Sequence, residues 1–431
     1  MRLTDLFGIT KNEKSERGAA LMLALFTTTL LLVIATQIMY ETSVEYVVST
    51  QAVNQVKAYW AARSGIEMSL LRIHIFKQAQ ALGATALPDP SILNEIWRQP
   101  FLWPPPIPSG ASVVDTDSIK KAVKGSDLTV LKMSYFTTIE AEGAKVDIND
   151  LGSPSKIMSD AARNQLMQLF NQKMETDEAF QRRHRGFNFQ EVVNNIADWI
   201  DPDNEARNGG SERDLYNERG SSTKFLPPNQ PFRTVQELHL VSGMTDEIYD
   251  LIVPAITLYG GKGINVNLAP KETFRAFGPA FTEERITKIL TDRSDPRRGP
   301  FKDEKDLLQY LNSIGISGNP FQAADESKTP LVFEPETNFR IHSTGKSGQA
   351  QSDIIAVVYD ADKVRERLEK ALVDQASKGA SGAGAAGAGT PPGANPGFDA
   401  SGNPIPPKQD AKAAATPAPL RRPKIVYWNE E

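Results

Sequence analysis

From Ala19 to Met39 the chain carries no charged side chain, AALMLALFTTTLLLVIATQIM, and this run limits the possible folds more than any other feature. As a helix rising about 1.5 Å per residue, its 21 residues cross roughly 30 Å of hydrocarbon. The polar segment before it holds Arg2, Lys11, Lys14 and Arg17, and basic residues on that side predict a cytoplasmic N-terminus. A secretory signal peptide would have a shorter apolar core, then a small-residue cleavage site and a break. No break follows here. Val44, Val47, Val48, Ala52, Val56, Tyr59, Ile66, Leu70 and Ile73 continue at steps of mostly three and four, and no proline occurs between Gly18 and Pro88. One continuous helix is predicted from about residue 19 to 82, roughly 95 Å long.

The polar lead ends in Glu16-Arg17-Gly18, followed by Ala19. A basic leader ending in glycine, before a small residue and an apolar helix, resembles a class III prepilin signal. That resemblance implies cleavage between Gly18 and Ala19 by a prepilin peptidase on the cytoplasmic side, and methylation of the new N-terminus at Ala19. Most pilins carry Glu at the fifth mature position, where this chain has Leu23. A subunit without that carboxylate cannot offset a neighbour's terminal ammonium in an apolar bundle, and so suits a tip position with no predecessor.

Length and composition fit an exported body behind this anchor. The 431 residues suffice for two or three domains, and 40% are hydrophobic. A net charge of -5 argues against a protein that works by neutralising nucleic-acid phosphates. The absence of cysteine excludes disulfides, zinc-thiolate sites and cysteine nucleophiles. The four histidines, His74, His184, His239 and His342, form no ligand pair at helical spacing.

Residues 83–112 read as loop, with WRQPFLWPPPIPSG at 97–110 extended. Strands are predicted within 129–149, with a Glu142-Gly143 turn, and again at 338–344 and 352–360 around a Gly-Lys-Ser-Gly turn. Between these lie helical stretches at 158–173, 189–200, 233–241, 245–255, 270–277, 282–293 and 303–313, several opened by caps such as Thr234, Thr245 and Thr282. The fold class is therefore α+β: a long N-terminal transmembrane helix, then a sheet body with an inserted all-α domain. The boundaries predicted are 1–18 leader, 19–40 membrane span, 41–82 helix continuation, 83–154 first part of the body and 155–325 helical insertion. Next come 326–375 as the second part of the sheet and a short helix at 361–374. Residues 376–420 form an Ala/Gly/Pro-rich disordered linker, and 421–431 a C-terminal strand returning beside 352–360.

Six acidic residues fall within the 17 positions from Asp198 to Asp214, where a helix end meets a glycine-containing loop spanning 198–216. Oxygen-rich loops of this kind suit Ca²⁺, whose six to eight oxygen ligands tolerate irregular geometry. Asp201, Asp203, Glu205 and Glu212 have the spacing of EF-hand ligands, yet Ala206 stands where that loop needs glycine. The expected ligand set is Asp201, Asp203, Asn204, Glu205, Glu212 and Asp214; the alternative is a solvated acidic loop capped by Arg207 and Arg213. Other motifs carry less. Gly345-Lys346-Ser347 lacks the upstream glycine of a phosphate loop, and Gly260-Gly261-Lys262-Gly263 reads as a plain loop. The stretches 241–256 and 277–316 resemble helix-hairpin-helix or sterile-alpha-motif elements, without the paired glycines that hold DNA phosphate.

Together these pieces resemble the K-type minor pseudopilin family of type II secretion systems. The residues that carry the resemblance are Leu23, Lys145-Val146-Asp147-Ile148-Asn149-Asp150-Leu151, Asp198-Trp199-Ile200-Asp201-Pro202-Asp203 and Gly210-Ser211-Glu212 with Tyr216. Further on are Glu237-Leu238, Val241-Ser242-Gly243-Met244, Ile264-Asn265-Val266-Asn267-Leu268-Ala269 and Val426-Tyr427-Trp428-Asn429-Glu430. Arg213 replaces a usually acidic residue, and the 376–420 stretch is longer than the family pattern. The resemblance implies a pilin-like body, structural Ca²⁺ in the acidic loop and no enzymatic activity. It implies partners in the I-type and J-type minor pseudopilins, possibly the H type, the prepilin peptidase and the inner-membrane secretion platform. No nucleic acid or small-molecule substrate is implied. The location implied is a single-pass inner-membrane protein with its bulk in the periplasm, placed at the pseudopilus tip after assembly. The alternative is a minor pilin of a type IV pilus acting in adhesion or DNA uptake.

Overall fold

The computed structural model describes residues 13–81, 91–105, 132–212, 216, 227–295, 297–322, 328–382 and 423–430. Helix α1 runs from Glu13 to Ala81, so it reaches back into the segment read as leader, where Glu13 to Arg17 are good helix formers and nothing breaks the chain. From Gly18 to Val53 every residue is exposed, including Leu21, Leu23, Phe26 and Ile34. An apolar helix bare over this length finds its cover in lipid or in other helices. Its hydroxyls are satisfied internally. Thr27 and Thr28 donate to Ala24 O at 3.0 and 2.9 Å, Thr29 to Leu25 O at 2.9 Å and Thr36 to Val33 O at 2.8 Å. A hydrocarbon setting requires this of every polar group.

The chain divides into two compact units. The first comprises Met1–Ser64, Leu102–Phe136 and Thr344–Asp353; the second comprises Gly65–Phe101, Thr137–Ser343 and Ile354–Glu431. In the first, a Cβ on Gly345 would collide with the backbone of Ala58 and Ala62, so glycine and alanines let strand and helix meet closely. In the second, the buried face of α1 (Ile66, Leu70, Ile73, Phe76) carries Phe76 against Trp97 and Phe339, with ring centroids 6.0 Å apart in both pairs. Trp97 belongs to α2 (Ser91–Arg98), a short amphipathic helix in a segment read as loop. The apolar anchors Ile96 and Trp97 decide the local structure there, whereas the prolines that suggested extension begin only at Pro100.

A five-stranded sheet has the order β1 (Phe101–Trp103), β2 (Met133–Ala141), β7 (Phe339–Ser347), β8 (Ala350–Val358) and β9 (Ile425–Glu430). Strands β2 and β7 alternate buried and less buried residues along their length. The β7–β8 turn is Gly348-Gln349, with Gly348 at φ +59°, so the Gly345-Lys346-Ser347 triplet lies inside the strand before it. Strand β9 pairs antiparallel with β8, Ala356 opposite Trp428. Between β2 and β7 the chain leaves for the helical insertion: α3 (Lys156–Thr176), α4 (Glu178–Arg183), α5 (Phe189–Ile200), α6 (Asp246–Ile252), α7 (Lys271–Arg275), α8 (Glu283–Ser294) and α9 (Glu304–Ser313). The stretch expected to be helical from 233 forms a 3-10 helix instead, Val235–Leu240. The insertion is tied at its ends by two parallel pairs, β3 (Val146–Asp147) with β4 (Ile256–Thr257) and β5 (Ile264–Asn265) with β6 (Leu331–Val332). One apolar core fills it, from Leu166, Phe170 and Ile196 to Phe274, Ile289 and Leu311. Helix α10 (Ala361–Gly382) runs beyond residue 375 into the stretch read as linker, where Ala376, Lys378 and Ala380 still favour a helix; residues 383–422 lie outside those described.

Candidate metal centre

Helix α5 positions the first acidic residue. Asn188 caps its start by accepting from Glu191 N at 3.3 Å, and Val192, Val193, Ile196, Trp199 and Ile200 are buried. Gly152 lets the preceding turn press onto Ile200, where a Cβ would collide. Asp198 is buried in the last turn of α5, and Asp201 caps its C-terminus. Two carboxylates at the negative end of a helix dipole are unfavourable without a cation nearby.

The following loop is pinned back on the same helix. Asn208 donates to Glu191 O at 3.2 Å and to Asn195 Oδ1 at 2.8 Å, and accepts from Asn194 Nδ2 at 2.7 Å. Gly209 and Gly210 turn the chain at φ +93° and +91°, a region that disfavours other residues. Glu212 N then donates to Asn204 O at 3.3 Å. The result brings one carboxylate oxygen each from Asp198, Asp201 and Glu212 within 4.8 Å of one another. Trp199 lies parallel to Phe232 at 6.0 Å and tilted to Tyr216 at 5.9 Å, and the Tyr216 hydroxyl accepts from Ser242 N at 3.2 Å.

Glu212 is fully buried, and among the described residues neither of its oxygens, nor Oδ1 of Asp201, has a hydrogen-bond partner. Burial, then Asp201 and Asp198, push the Glu212 carboxyl up to about 7. Burial likewise raises Asp198 to about 6, and it raises Asp201. Arg207 is the cation in contact with the cluster, and Arg163 acts on Asp198 through its charge. Its Nε lies 3.1 Å from Asp198 Oδ1, its Nη2 donates to Asp201 Oδ2 at 2.9 Å and its backbone N to Asp198 Oδ2 at 3.0 Å. Bare buried carboxylate oxygens converging on one point fit a hard divalent cation such as Ca²⁺, bound by oxygen at about 2.3–2.6 Å. The donor set has no softer atom.

Of the residues expected to hold the ion, Asp201 and Glu212 come together. Asp203, Asn204 and Glu205 are exposed on the outer side of the loop, where Asp203 Oδ1 accepts from Glu205 N at 2.9 Å. Asp214 lies outside the described residues. Asp198 joins the cluster without having been among the expected ligands; its signal was the spacing of three residues to Asp201, one helical turn. Gly18 and Leu23 both lie on the exposed part of α1, and nothing stands within 4 Å of a Cβ placed on Gly18.

The described residues thus form a long bare apolar helix, a small five-stranded sheet and a helical insertion that brings three carboxylates together. Residues 144–261 match the family model described as Type II secretion system (T2SS), protein K. That match spans 118 of the 431 residues, and it is this segment that is similar to protein K of type II secretion. A Type II secretion system protein K from Klebsiella pneumoniae is 30% identical over 81 residues, which cover 19% of this chain and 24% of that protein. The chain thus aligns with about a quarter of that curated relative. Among solved structures, the crystal structure of the GspK-GspI-GspJ complex from the enterotoxigenic Escherichia coli type 2 secretion system aligns with a TM-score of 0.44 and 16% identity. That alignment covers 76% of this chain and 95% of the other.

Proposed function

We propose that this chain is the K-type minor pseudopilin of a type II secretion system, a non-enzymatic subunit that joins I-type and J-type partners at the pseudopilus tip and primes assembly. The observation that carries this reading is the protein K domain at 144–261 behind a bare apolar helix. Leu23, exposed where most pilins have Glu, supports a place with no predecessor. The family match does not favour the type IV pilus alternative. Cleavage between Gly18 and Ala19 and methylation of Ala19 belong to the same proposal. They are supported by a helical glycine that no packing contact requires, although glycine costs a helix about 1 kcal/mol. In this reading the protein is anchored in the inner membrane with its bulk in the periplasm.

Asp198, Asp201 and Glu212 would hold a structural Ca²⁺, which supplies the positive charge that the buried carboxylates lack. The chain's own part is to hold the loop 201–212 onto α5 so that these oxygens converge. Deleting the gene tests the function: export of folded proteins across the outer membrane is expected to stop and to return with the wild-type copy. Normal secretion and normal pseudopilus formation in the deletion strain would overturn it.

A further inference from the structure

Arg207 does not fill the carboxylate cage. Its side chain is 35% exposed, at the mouth, while those of Asp198 and Asp201 are 2% and 11% exposed. It takes Asp201 through Oδ2 alone and leaves Oδ1 bare. It makes no hydrogen bond to Glu212, whose two oxygens stay buried and without a partner among the described residues. With all three carboxylates ionised, Asp198, Asp201 and Glu212 contribute three negative charges and Arg207 one positive, so these four groups sum to -2; Arg163 acts on Asp198 as well, but equally in every Arg207 variant. Asp203 is exposed and screened by water, so it counts for less.

We infer that Arg207 is a positioning residue that sets the charge selectivity of this centre: it orients Asp198 and Asp201 from outside and holds the cage at the charge that a divalent cation neutralises. The inference rests on the metal reading above. Two features of the geometry support it. The arginine leaves Oδ1 of Asp201 and both oxygens of Glu212 unbonded, so at these atoms cation and guanidinium need not compete for the same lone pairs. Its backbone N–H also fixes Asp198 Oδ2, which ties the side chain's charge to the loop that carries Glu212. Without the guanidinium the cage would hold -3, and a trivalent ion of similar size would gain over a divalent one.

The test is calorimetry on the full chain in detergent with CaCl₂ and with TbCl₃, comparing wild type, Arg207→Met, Arg207→Gln and Arg207→Lys. The ratio of Tb³⁺ to Ca²⁺ affinity is expected to rise by about tenfold or more in the Met and Gln variants and to stay within about threefold of wild type in the Lys variant. A purely structural loss would weaken both ions alike and leave the ratio unchanged, which would overturn the inference. Should Arg207→Met not fold by circular dichroism, Arg207→Gln carries the comparison. An equal rise in Arg207→Lys would also overturn it. A wild-type chain that binds neither ion would refute the metal reading itself, an outcome distinct from an unchanged ratio.

Discussion

Lys262 sits between two buried carboxylates, and replacing it with methionine isolates what that charge contributes. Its Nζ donates to Asp147 Oδ2 at 3.0 Å and pairs with Asp150; the three side chains are 15%, 6% and 10% exposed. Methionine keeps the volume and the left-handed backbone, φ +55°, so only the ammonium is lost. Stranding a buried charge costs about 3–5 kcal/mol. Part of the loss can be relieved by a proton, since burial and then Asp147 already push Asp150 up to about 7. A folded-state value above the ordinary 3.8 means that the native form holds a proton the unfolded chain releases; Lys262 itself holds that value down, so its removal raises it further and the variant regains stability as pH falls. The loss is therefore expected to be larger at pH 8 than at pH 6, by about 1–3 kcal/mol. At about 2–4 °C per kcal/mol for a body of this size, Tm should fall by roughly 6–20 °C at pH 8. The assay is thermal unfolding of the full chain in mild detergent, followed by near-ultraviolet circular dichroism. A fall under about 2 °C, or the same fall at both pH values, would refute the triad's role.

The metal reading has two further consequences. Glu212→Gln removes a fully buried ligand, so the Ca²⁺-induced rise in Tm expected for wild type should vanish in calorimetry; a variant with an unchanged rise would exclude Glu212. With a chelator present, Glu212 and Asp198 titrate near 7 and 6, above their ordinary 4.5 and 3.8: burial raises both, Asp201 and Asp203 add to both, Asp198 adds to Glu212, and Arg207 opposes the rise. The native state then holds protons that the unfolded state gives up, so metal-free stability should fall as pH rises from about 5 to 7. The Ca²⁺-induced rise should grow over the same window, because the ion displaces those protons. A rise largest at pH 5.5 would contradict this.

The long helix could be read from the sequence because two local signals agree, absence of charge and then steps of three and four, and neither needs a tertiary partner. Strands β7 and β8 were legible for the same reason, through alternation around a glycine turn. What escaped was non-local or short. Lys262 meets Asp147 and Asp150 across more than a hundred residues, so a loop lysine gave no hint of a buried triad. Helix α2 has only eight residues, too few for periodicity to outweigh nearby prolines. At the proposed metal centre the acidic loop was visible as composition. The selection of Asp198 over Asp203 and Glu205 depends on the Gly209-Gly210 turn and the Asn208 anchors, which decide which carboxylates point inward.

The proposal that this chain enters a pseudopilus depends most directly on how its N-terminus is processed. Mass spectrometry of the protein purified from membranes that hold an active secretion system measures this in one experiment. The expected product begins at N-methylated Ala19, with residues 1–18 removed. A mature chain that begins elsewhere, or that keeps Gly18, would contradict it.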